Sequence, residues 1–150
     1  MAIKEVHRSI AVLPTALYLK AQETANIVGT HTLNLLRSSI NLKLWMDEKR
    51  TKLVEEGQTG EIRVENRVII PDLLLTKYPL ANYTKVSYNI PEKDFRVART
   101  QGMKFTDYLK QATVLTLEMI DLAKQQGLYG SQGQYSIPFS IGSQDFVAIL

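Results

Sequence analysis

From Thr15 to about Glu56 the apolar positions recur at steps of three and four. Ala25, Val28, Thr32, Leu35, Ser39, Leu42, Met46, Lys49 and Leu53 mark one mostly apolar line, and Leu33, Leu36, Ile40 and Leu44 lie on the turns beside it. That spacing predicts a helix with a wide apolar arc. Pro14 sits where a helix can begin, Gly29 alone interrupts the interior, and Gly57 and Gly60 supply the stop. A helix of this length would run about 60 Å at about 1.5 Å per residue. A compact domain of this size has a radius of gyration near only ~15 Å. The helix therefore either breaks at Gly29–Thr30 or projects past its own domain and needs a partner to cover it.

The period then changes to two. "EIRVENRVII" sets Ile62, Val64, Val68 and Ile70 against Arg63, Glu65 and Arg67, and "YTKVSYNI" sets Thr84, Val86, Tyr88 and Ile90 against Lys85, Ser87 and Asn89. Both read as half-buried strands, fit to pair as antiparallel neighbours. Pro91 opens a short helix, "PEKDFRVART". A second strong helix follows near 105–126, with Phe105, Tyr108, Leu109, Ala112, Leu115 and Met119 on its stripe and Val114, Leu117 and Ile120 off it. Apolar residues on both arcs predict cover on more than one side.

Residues 127–134, "GLYGSQGQ", read as a hinge. Beyond them Tyr135, Ile137, Phe139 and Ile141 alternate with Ser136, Pro138 and Ser140, a strand whose proline assigns it to a sheet edge. The final stretch, Phe146 to Leu150, is wholly apolar, and Asp145 is the only charged side chain after Lys124. The pattern as a whole predicts an α+β protein. It has one long N-terminal helix, broken or not near Gly29, a second helix near 105–126, and a small antiparallel sheet that includes a C-terminal strand. The 150 residues fit a single domain, in which 135–150 form a strand and tail.

Composition sharpens this only a little. With 45% hydrophobic and 22% charged residues, the chain has the make-up of an ordinary globular protein. It has no cysteine, which excludes disulfides, thiolate metal sites and a cysteine nucleophile. "IAVLPTALYLKAQ" is interrupted by Lys20 and Glu23 before the ~20 apolar residues that a membrane span requires. The expected location is the cytoplasm as synthesised, with incorporation into a particle such as a virion open.

Candidate chemistry is thin. The two histidines, His7 and His31, stand far apart, and His31 reads as a partly buried, hydrogen-bonded structural residue. No GxSxG, HExxH, EF-hand or phosphate-cradling glycine motif is present. Asp47–Glu48, and Glu118 with Asp121 and Lys124 a turn apart, read as solvated, charge-balanced faces. These observations predict no enzyme, no cofactor and no metal.

The net charge of +3 permits contact with nucleic acid. Lys93, Arg96 and Arg99 fall at three-residue steps with Lys104 close behind, though Glu92 and Asp94 dilute them and no stacking aromatics are interleaved. The leading expectation is instead a non-enzymatic structural or assembly subunit of a homo-oligomer or larger particle, such as a virion or secretion apparatus. Its partners would be other protein subunits. It would interact through the long helix and the C-terminal tail, with Tyr135, Ile137, Phe139, Ile141, Phe146, Val147, Ile149 and Leu150 as the interface. The tail either returns to its own sheet or adds to a neighbour's as an extra strand. A small nucleic-acid-binding accessory protein using the basic helix face is the alternative.

Overall fold

The computed structural model describes residues 6–64, 67–70, 73, 78, 82–91, 96, 98–99, 102–125 and 136–149. The elements run β1 (Val6–Pro14), α1 (Thr15–Val28), α2 (Thr32–Glu55), β2 (Ile62–Val64), β3 (Arg67–Ile69), β4 (Tyr83–Pro91), α3 (Phe105–Gln125), β5 (Ser136–Ile141) and β6 (Gln144–Ile149). The protein is α+β, with helices packed against small antiparallel sheets. No described helix is long and apolar enough to cross a membrane.

The long N-terminal helix breaks. Gly29 adopts φ 83°, a left-handed conformation that costs a residue with a Cβ. Its N–H reaches the carbonyls of Ala25 and Asn26, and Thr30 N–H also donates to Ala25 O at 2.9 Å. These bonds satisfy the last carbonyls of α1 as a Schellman cap does. His31 is extended, and α2 starts at Thr32. The 24 residues of α2 extend about 36 Å, so the chain folds back where an unbroken rod would have projected. The same device closes α2, where Gly57 takes φ 80° and Gln58 N–H donates to Leu53 O at 2.8 Å.

α3 lies at the centre. Tyr108, Leu109 and Leu115 on its stripe, and Val114, Leu117 and Ile120 off it, are all 0–1% exposed. It contacts α1, α2, β1 and β5, which explains why both arcs are apolar. One core cluster joins it to Leu13 and Leu17, to Leu36, Ile40 and Met46, and to Ile62, Ile137 and Ile141.

The strand pairing differs from the expected one. β1 is the partner of β4, in a regular register from Val6↔Pro91 to Pro14↔Tyr83. The Thr15 N–H, an orphan at the start of α1, donates to Asn82 O at 2.9 Å and ties that helix to the start of β4. The run 61–70 is two strands, β2 and β3, separated by Glu65 and Asn66 and paired Ile62↔Ile69 and Val64↔Arg67. Reversal changes the parity, so Ile69 is buried while Val68 and Ile70, expected inside, are 41% and 48% exposed.

β5 and β6 form a hairpin on the same four-stranded sheet, in the order β3-β2-β5-β6. The C-terminal strands thus return to their own sheet, the first of the two arrangements open from the sequence. β5 is not an outer strand, but β2 covers only Ser140 and Ile141. Pro138 lies beyond that overlap, where its missing N–H costs no bond to β2.

Candidate protein-interaction site

The expected interface residues separate into buried and exposed sets. Ile137 and Ile141 are 0% exposed and Phe139 is 4% exposed, so all three are committed to the protein's own core. Phe146 is half-buried against that core, whereas Val147 is 59% exposed. Ile149 pairs with Ser136 at the end of β6. Tyr135, Leu150 and the stretch 127–134 lie outside the described residues.

What holds the hairpin to the helix is an aromatic trio. Phe139 and Phe146 are cross-strand partners with stacked rings 5.7 Å apart. Trp45 of α2 meets both edge-on, at 5.8 Å from Phe139 and 4.9 Å from Phe146. Such edge-to-face pairs add about 0.5–1.5 kcal/mol each beyond burial. Trp45 nevertheless stays 36% exposed, and the Lys49 ammonium one turn on lies 5.8 Å from the ring.

Beside this trio runs an open groove of about 320 Å³. Ser38, Asn41, Leu42 and Trp45 of α2 form one wall, and Phe139, Val147 and Ala148 of the hairpin form the other. The long helix and the C-terminal strand therefore meet along a single surface, each expected to bind partners but neither expected to touch the other. Trp45 is the residue that sequence reasoning missed. Its position among Leu42, Leu44 and Met46 offered a signal, since the chain has one Trp and it falls off the main apolar line.

The basic residues of the alternative reading are surface groups. Arg96, Arg99 and Lys104 are exposed, Arg96 and Arg99 each with a contact of its own, and Lys93 lies outside the described residues.

Two polar clusters correct the view of the carboxylates as solvated. Lys43 is 5% exposed, donates to Asp47 Oδ2 at 2.9 Å and lies 4.6 Å from the centre of the Tyr108 ring. The fully buried Tyr108 donates its hydroxyl to the same carboxylate oxygen at 3.1 Å, locking α2 to α3. Asp121 does not balance against Lys124 but forms an ion pair with Lys20 across α1 and α3. Burial opposes the charge on Lys20. The hydrogen bond that Lys20 donates to Asp121, with the pull of Tyr78, Asp121 and Glu118, outweighs it and raises the pKa. Tyr78 is also raised, first by burial, against the lowering pull of Lys20. His31 is exposed and makes no side-chain capping bond, so the expected buried, bonded histidine is not there.

Among the described residues no group of three or more His, Asp or Glu converges as a metal site would. No family model, curated protein or solved structure matches this chain.

Proposed function

We propose that this protein is a non-enzymatic structural or assembly subunit of a homo-oligomer or larger particle, made in the cytoplasm. It works by binding other protein subunits along the surface shared by α2 and the β5–β6 hairpin. The observation that carries this reading is the groove itself. A part-exposed tryptophan stands over a rigid aromatic floor, with Leu42 and Val147 on its flanks. Tryptophans in such settings are the side chains around which protein interfaces concentrate their affinity. The walls are a helix and a strand pinned to one core, so little ordering cost opposes binding.

Light scattering on the full chain across a concentration series tests this reading. Asn41 lies on the exposed side of α2 in the wall of the groove, and Asn41→Glu suits a helix. The expected result is a wild-type mass above that of one chain, shifted toward monomer in N41E with an unchanged melting temperature. A wild type that stays monomeric at every concentration, or an N41E protein that associates as the wild type does, overturns the reading.

A further inference from the structure

We infer that β6 is a self-pairing edge. Two copies of the chain join β6 to β6 antiparallel, in the register that sets Val147 opposite the second copy's Val147. This deepens the assembly reading and rests on it, because it names the occupant of the surface bordering the groove.

Among the described residues the outer strands of the larger sheet are β3 and β6, and in the two-stranded sheet each strand pairs only with the other. Natural edges are guarded against pairing by brevity, by charged side chains, lysine above all, by proline, by a bulge or by cover. β3 has three residues, one of them Arg67. β1 carries Arg8 and ends on Pro14, and β4 carries Lys85 and ends on Pro91. β6 has six residues without a cation or a proline, and its register with β5 runs from Ser136↔Ile149 to Ile141↔Gln144 without a bulge. Among the described strands, β6 is the least guarded, with Asp145 as its one charge.

Symmetry and side-chain size then choose the occupant. A two-fold axis normal to the sheet pairs residues that share a face, so the axis passes through a residue and not between two. Two central registers keep the strand paired along most of its length. Centring on Phe146 would oppose two phenyl rings on the inner face, where Trp45 and Phe139 already stand 4.9 and 5.7 Å from Phe146. Centring on Val147 instead places each Phe146 across from the second copy's Ala148, large against small.

On the outer face the Val147-centred register covers Val147, which is 59% exposed, with its own twin. Asp145, the strand's one charge, then lies two residues from the axis, so no two carboxylates meet. Two four-stranded sheets become one continuous sheet, with the Trp45 groove of each copy beside the join.

The chain contains no cysteine, so one introduced thiol can cross-link only to its counterpart on another copy. Directly opposed strand residues hold their Cβ atoms about 4.5–5.5 Å apart, close to the ~3.5–4.5 Å of a disulfide. Val147→Cys, mildly oxidised, is therefore expected to give a covalent dimer. Leu19→Cys on α1, a site 55% exposed, serves as the collisional control. Cross-linking of V147C should be about tenfold faster or more, because pairing raises the local thiol concentration. As a second variant, Val147→Lys should restore a folded monomer.

If V147C links no faster than L19C while light scattering shows the wild type to be oligomeric, β6 pairing is overturned and the assembly reading stands. If the wild type is a monomer, both fall.

Discussion

Gly142 turns β5 into β6 with φ +60°, and a Cβ there would lie 2.5 Å from the Thr59 carbonyl oxygen. Its N–H donates to Glu61 O at 2.9 Å, and Ser143 Oγ donates to Gln58 Oε1 at 3.1 Å, so the hairpin tip is bolted to the loop after α2. Gly142→Ala combines left-handed strain of about 1–3 kcal/mol with a backbone clash. It should lower the urea midpoint well below that of Gly29→Ala, where φ is +83° but nothing lies within 4 Å. Equal midpoints for the two variants would refute the contact. Asp47→Ala removes the partner of a buried ammonium and should cost about 3–5 kcal/mol, measured in the same way. Lys43→Met, which leaves Arg50 3.9 Å from Asp47, should cost less. Neither contact was legible in the sequence, because residues 135–150 read as one strand and tail, Lys43 and Asp47 are spaced like any solvated pair, and Tyr108 lies 61 positions from Asp47.

The elements whose identity is set by local chemistry were the readable ones. Gly29 marked the one place where the long helix could break, with an unbroken rod left open, and the double apolar arc of α3 foretold cover on several sides. The pairing of β4 with β1 was not readable, since it joins strands some seventy residues apart and β1 runs without a glycine into α1. Nor was the antiparallel pairing of β2 with β3, which moved Val68 and Ile70 outside. The Lys20–Asp121 bridge joins α1 to α3 and gives a pH signature. The pKa of Lys20 and that of Tyr78 are both raised in the fold. Each group then holds its proton more tightly folded than unfolded. Their contribution is fully present below their unfolded values, about 10.4 and 10. It is lost as pH rises through the folded ones. Stability measured by denaturant titration should fall above that range, and Tyr78→Phe should lessen the fall. A Y78F protein with the wild-type slope would show that the phenol plays no part.

In the whole molecule the greasy C-terminal segment resolves into three uses. Ile137, Phe139 and Ile141 fill the core, Phe146 clasps Trp45, and Val147 remains outside. The sequence showed how much apolar surface there was but not which of it the protein hides, because that depends on the hairpin folding back over α2. The same folding creates the groove. Trp45 is the only tryptophan in the chain, so its fluorescence reports this surface alone. The most direct measurement is the Trp45 emission maximum of the full chain followed through a dilution series beside its light-scattering mass. Burial of the indole by a neighbouring subunit predicts a blue-shifted maximum at high concentration that moves red in step with dissociation. A mass that rises with concentration while the emission stays fixed would place the contact elsewhere, and a mass that never rises would contradict assembly altogether.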